Sequence, residues 1–236
     1  MWSRTNSYIL TFSIFVSVFG LLVALMVAFN PPVSNTSFLW RKPLVGLVFG
    51  LICTLGIFAA LFPRQCSGAF HFSRDNQSSV FHRISGASHH PDCEGFSTHV
   101  IRLGSHKLCA GCTGLLIGAL IGFVGIVLCF FGGWHIEETD LSIVVIGETA
   151  TILGFSQLKF RGFVRVALNT TFVVGAFLIL VGIDELAESV HIDLFIIASI
   201  AFWILTRIQL SQWDHWRICR SCESSCELRG TKKKMG

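Results

Sequence analysis

A chain of 236 residues that is 52% hydrophobic, only 14% charged and +0.66 in mean hydropathy departs from soluble domains, in which about 25% of residues are charged. The composition excludes an ordinary water-soluble globule. The formal net charge of +4 is modest, and the basic residues form no aromatic-and-basic platform of the kind single-stranded nucleic acid needs. The class it indicates is an all-α, polytopic integral membrane bundle whose first partner is the lipid bilayer.

A membrane-crossing helix needs about 20 mostly apolar residues. The first such run is 8–30, uncharged and closed by Pro31-Pro32. It is too long for the apolar core of a signal peptide and reads as a retained span. The second is 44–62, closed by Pro63. A long loop follows, and the third run, 113–133, begins directly after Cys109-Ala110-Gly111-Cys112. The fourth, 141–158, contains Glu148; the fifth is 166–183. The sixth, 192–210, is limited by Asp193 and Arg207. Arg207 is expected to snorkel to the interface, beside an aromatic belt of Trp213 and Trp216. The predicted organisation is therefore 1–62, two helices; 63–112, a Cys/His-rich loop; 113–210, four helices; and 211–236, a basic tail with cysteines.

The connections alternate in sign. Trp134 to Asp140 carries Glu137, Glu138 and Asp140 without Lys or Arg, and the connection after the fifth span carries Asp184, Glu185, Glu188 and Asp193. The long loop, the 159–165 connection and the tail are basic. Lys and Arg in short loops mark the cytoplasmic side. Both termini and the Cys/His-rich loop are therefore predicted to be cytoplasmic, in a multi-pass protein of the cell membrane. Arg41 and Lys42 dissent, since they fall on the opposite side.

The cytoplasmic side would then gather most of the sulfur and imidazole. The loop offers His90, Cys93, His99, Cys109 and Cys112, and the tail offers Cys219 and Cys222. Cytoplasmic thiols stay reduced, so the pattern points to metal or redox chemistry rather than structural disulfides. Zinc takes four tetrahedral ligands from thiolate and imidazole, often as two cysteines a short step apart. In Cys109-Ala-Gly-Cys112 the glycine permits the tight turn such a pair requires, and the N-terminus of the following helix favours a thiolate. Two completions stay open: a local set from His90, Cys93 and His99, or a long-range set from Cys219 and Cys222. An iron–sulfur cluster would prefer all-Cys ligation. Haem attachment by C-x-x-C-H is excluded, because Thr113 follows Cys112 and Glu223 follows Cys222.

"HHPDCEGFSTH" followed by "CAGCTGLLIGA" resembles an uncharacterised family of archaeal and bacterial polytopic membrane proteins, in which a Cys/His segment precedes a C-A-x-C-T-G element at the start of a glycine-rich span. The matching residues are His90, Cys93, Phe96, His99, Cys109, Ala110, Cys112, Thr113 and Gly114, within residues 89–122. The resemblance implies a membrane protein of archaeal type and supplies no activity.

Two intramembrane features remain. Gly114, Gly118 and Gly122 recur every four residues and predict a close helix-packing seam. Glu148 lies mid-span, where a charge costs at least ~2.5 kcal/mol; it requires a proton, a partner or a polar cavity, and Asn169, Thr170 and Thr171 are candidate neighbours. Nucleotide-binding loops and the H-E-x-x-H and G-x-S-x-G motifs are absent from the sequence. The leading functional expectation is non-enzymatic, a membrane protein with a structural zinc site on its cytoplasmic face. The alternatives are a proton- or ion-coupled transporter using Glu148, and a membrane-bound redox or metal-dependent enzyme using the thiols.

Overall fold

The computed structural model describes residues 4–32, 40–61, 99–103, 106–134 and 140–221. These form six helices and one short hairpin: α1 (Arg4–Phe29), α2 (Arg41–Leu61), β1 (Val100–Leu103), β2 (His106–Cys109), α3 (Ala110–Ile126), α4 (Asp140–Phe155), α5 (Gly162–Ala187) and α6 (Val190–Ser221). A π-helical turn, Val127–Phe131, extends α3, and a 3-10 turn, Ser156–Lys159, extends α4. All six helices are long and apolar enough to cross a membrane.

Helix α5 is the axis. Over its most apolar window 61% of residues are buried, against a third or less in the other five. Helices α3 and α4 pack against it most extensively, α6 and α1 cover another side, and α2 lies outside on α3. The core holds Phe49, Ile126, Phe172, Ile179, Leu180, Ile183, Ile196 and Trp203. Phe155 meets Phe172 edge-on at 5.2 Å and Phe49 stacks on Phe177 at 6.2 Å. On the outside, large apolar side chains such as Phe12, Phe15, Phe19, Leu22 and Met26 are exposed along α1. Water would penalise such a surface, whereas lipid tails match it.

Close helix approach rests on small residues. A Cβ on Gly114 would collide with the Val166 carbonyl and lie 2.6 Å from Asn169 Cβ; one on Gly118 would lie 2.8 Å from Val173 Cβ. Gly147 and Gly175 face each other across α4 and α5. The predicted seam is thus real at Gly114 and Gly118 but does not continue to Gly122, which faces Cys53 and Phe49 of α2. A four-residue step overshoots the 3.6-residue turn, so the stripe rotates away from α5.

Several polar groups between helices α1 and α6 are matched. Trp203 Nε1 donates to Ser17 O (3.1 Å), and the Ser17 and Thr206 hydroxyls meet at 2.8 Å. These contacts set α1 antiparallel to α6, so the start of α1, the start of α3 and the end of α6 share one end of the bundle.

Several expectations shift. The acidic residues Asp184, Glu185 and Asp193 lie in the ends of α5 and α6 rather than in a loop, and only Glu188 and Ser189 connect these helices. Glu188 takes a left-handed conformation (φ 46°, ψ 31°) as the chain leaves α5. The last helix continues to Ser221, so the first part of the predicted tail, including Cys219, is helical. Helix α3 starts at Ala110, three residues before the predicted span.

Charge is sorted to the two ends. At one, Arg41 joins Asp184 and Asp193, and Lys42 pairs with Glu185 at 2.6 Å. At the other, Arg165, Arg207 and Arg217 surround Asp214 and the cysteine pair. On α5, Arg165 and Asp184 are 19 residues apart, about 29 Å at helical rise, close to the thickness of a bilayer core.

Candidate metal centre

The hairpin delivers the cysteines. In the stretch V-I-R-L-G-S-H-K-L-C two short runs flank Gly104-Ser105, a two-residue connection of the hairpin type. The strands pair antiparallel, Val100 opposite Cys109 and Leu103 opposite His106. Pairing ends at Cys109, which is extended (φ −71°, ψ 118°) and stands at the N-cap of α3. Its side chain does not cap the helix. Cys112 follows in the first turn, and the Thr113 hydroxyl donates to Cys109 O at 2.9 Å.

Cys109 and Cys112 are half-buried and not bridged as a disulfide. A Cβ at Gly111 would lie 3.9 Å from Cys109 Sγ and 3.6 Å from Arg207 Nη2. The absent side chain therefore leaves the turn open toward both. Arg207 lies within electrostatic range of both sulfurs.

Arg207 does not snorkel. It is 5% exposed, and its Nε donates to Asn169 Oδ1 at 2.8 Å while Nη2 donates to the same oxygen and, at 3.4 Å, to Gln157 Oε1. Asn169 in turn donates to Arg165 O at 2.6 Å. These partners are neutral amides; among the described residues Arg207 forms no ion pair with a carboxylate. Gln157 is itself fully enclosed, and its Nε2 finds no acceptor among the described residues.

Asp214 organises the adjoining layer. Its Oδ2 meets His99 Nε2 at 3.2 Å and Arg165 Nη2 at 3.8 Å, and its Oδ1 accepts from Arg217 Nη2 at 3.2 Å. Arg217 also lies over the Trp213 ring at 5.0 Å. His99, expected among the metal ligands, meets this carboxylate through one ring nitrogen and ties the start of the hairpin to α6.

The candidate ligands are therefore dispersed. Cys109 and Cys112 come together at the start of α3. Cys219 lies on α6, 12 residues beyond Arg207, which is about 18 Å of helical rise. His90, Cys93 and Cys222 lie outside the described residues. Among the described residues no three His, Cys, Asp or Glu side chains converge to hold a metal. The pair itself suits zinc: two soft sulfurs at the spacing of a metal-gripping turn, with a glycine between them and cationic surroundings.

Glu148 lies on α4 beside Gly147, whose backbone rests on Gly175 and Ile179 of α5. It is 7% exposed, and its Oε1 has no partner among the described residues. The neighbours expected for it are engaged elsewhere: Asn169 with Arg207 and Arg165, Thr170 with Gly114 O, and Thr171 with Ala167 O.

Gln157 and Asp214 are missed from sequence, while Arg165 figures there only as a loop cation and Asn169 only as a neighbour of Glu148. The available signal was the presence of charged and amide side chains inside or at the edge of apolar spans, where each requires a partner. Comparison with known proteins returns no match: no family model fits the chain, and no curated protein or solved structure is similar to it. The family resemblance therefore rests on residues 89–122 alone.

Proposed function

We propose that this is a multi-pass protein of the cell membrane with both termini cytoplasmic, in which zinc bound by Cys109 and Cys112 fastens the Cys/His-rich loop to the helix bundle. One observation supports the reading: two sulfurs stand at the N-terminus of α3 near a buried guanidinium that no carboxylate answers among the described residues. A buried charge that meets only neutral amides is unfavourable, and sulfurs that bind a metal as thiolates keep partial negative charge beside it. His90 and Cys93 are the preferred further ligands, because H-x2-C, fifteen residues and C-x2-C repeat the spacing of paired zinc-binding turns. Cys219 and Cys222 are second choices, and His99 serves as an anchor. Bound zinc would supply a cross-link rather than a reaction step, so the reading is non-enzymatic.

The orientation is supported by the pairing of Arg41 and Lys42 with acids at their own end of the bundle. Once matched, they no longer oppose the positive-inside bias of the other loops.

Metal analysis of purified protein tests the proposal. Zinc near one equivalent is expected, and Cys109→Ser and Cys112→Ser should lose metal and folded yield together. Normal metal content and normal yield in both variants would refute it.

A second reading has its own support in the enclosed Glu148, whose Oε1 has no partner among the described residues, a group suited to proton-coupled transport. A pH-dependent flux in proteoliposomes that Glu148→Gln abolishes would favour it; an unchanged flux would remove it.

A further inference from the structure

We propose that Asp184 and Asp193 form a proton-binding site, in which one exchangeable proton is shared by the two carboxyl groups beside Arg41. The site lies at the opposite end of the bundle from the cysteines and depends on neither reading above.

Three charged side chains meet there out of water. Asp193 is 0% exposed and Asp184 2%, and Arg41 is buried with them. A single nitrogen, Arg41 Nη1, reaches Asp184 Oδ1 at 2.5 Å and Asp193 Oδ2 at 3.1 Å, so the two acids are themselves close neighbours. They also meet side chain to side chain. Ionised carboxylates are acceptors only and cannot hydrogen-bond to one another; a proton on one of them supplies the donor.

Charge counting gives the same answer. One guanidinium, which stays charged, cannot neutralise two carboxylates. The surrounding groups do not make up the difference. Lys42 of α2 is answered by Glu185 of α5 at 2.6 Å. Glu188 and His191, at the α5–α6 turn, are exposed to solvent. Cys129 of the π-helical turn, near Lys42 and Glu185, is uncharged as a thiol. With both acids ionised, one negative charge would stand uncompensated in an enclosed site, and two carboxylates so placed hold one proton between them.

The unmatched oxygen narrows the ligand. Asp193 Oδ1 is sealed from water and has no hydrogen-bond partner among the described residues. An ion such as calcium would need room and about 6–8 oxygen ligands; a proton needs neither. Asp184 lies in the last turn of α5 and Asp193 in the first turn of α6, so release of the proton would set two like charges against each other across the turn that joins these helices.

The test is infrared spectroscopy of full-length protein in detergent, reading the carbonyl stretch of a protonated carboxylic acid, with isotope-labelled aspartate to separate it from glutamate. Wild-type protein should show an aspartic-acid band at neutral pH that disappears reversibly as the pH is raised. Asp184→Asn and Asp193→Asn should each remove the band, because the carboxylate that remains is then matched by Arg41 alone and ionises. A band that persists in either folded variant would overturn the shared site. Wild-type protein without the band at neutral pH would overturn it as well, whether or not the variants fold.

Discussion

Arg41 and Asp184 meet through one nitrogen: Nη1 lies 2.5 Å from Asp184 Oδ1 and 2.9 Å from Asp184 O, and the same atom reaches Asp193 Oδ2 at 3.1 Å. The guanidinium at the start of α2 thus caps one carbonyl of the last turn of α5 and bridges two enclosed carboxylates. A cation is favoured at a helix C-terminus, and here it also locks an outer helix to the α5–α6 turn.

Arg41→Met should therefore be among the most damaging single changes at that end. It leaves Asp184 and Asp193 enclosed without their shared donor, a loss of about 3–5 kcal/mol for a broken buried pair. Unfolding in mixed micelles measures it, and adding Asp184→Asn to Arg41→Met should recover part of the loss.

The two sides of the glycine argument separate cleanly. Gly114→Ala forces a methyl into the Val166 carbonyl and Asn169 and should cost about 1–3 kcal/mol. Gly50 has nothing within 4 Å of an added Cβ, so Gly50→Ala should leave thermal stability in detergent unchanged or slightly raised.

Glu188 is a left-handed, exposed, non-glycine residue following α5. Glycine suits that position without steric penalty. Glu188→Gly should stabilise the protein by about 0.5–1 kcal/mol, in the range of a relieved backbone conflict. A loss of stability would show that its side chain makes a contact of value.

Asp214→Asn should loosen the hairpin while the spans remain folded. The buried carboxylate carries bonds to His99, Arg165 and Arg217. Faster amide exchange in residues 100–109 is the expected signature. Arg217→Ala should have a far smaller effect, because that side chain is 58% exposed and exposed pairs contribute about 0–1 kcal/mol.

Orientation has a direct readout. A membrane-impermeant maleimide applied to metal-depleted cells should modify Cys109 and Cys112 only after permeabilisation. Labelling in intact cells would reverse the assigned sidedness.

Six helices were legible because each is a long apolar run, and even the interrupted fourth and sixth keep that signature. The position of Cys109 and Cys112 at a helix start was legible for the same reason: the apolar run begins directly after them. The hairpin had a visible cue in Gly104-Ser105, but its strands are only four residues each and carry basic residues, so it read as loop. The setting of the cysteines was not legible. Arg207 finds Asn169 and Gln157 38 and 50 residues away, and such pairings depend on helix rotation, which a mean hydropathy does not encode. Arg207 near a span end looks like a snorkelling residue until the facing amides are known. The carboxylate beside His99 was equally hidden, since Asp214 lies 115 residues downstream.

The sorting of charge along α5 bears on the electrical environment of the molecule. Arg165 and Asp184 mark opposite ends of one rigid rod, with basic groups gathered around the first and acidic groups around the second. A membrane potential that is negative inside is worth about 2.3 kcal/mol per elementary charge per 100 mV across the full bilayer. With the sulfur-bearing end inward, as proposed above, the standing voltage would pull on both ends in the favourable sense, so an energised membrane would reinforce the proposed insertion direction.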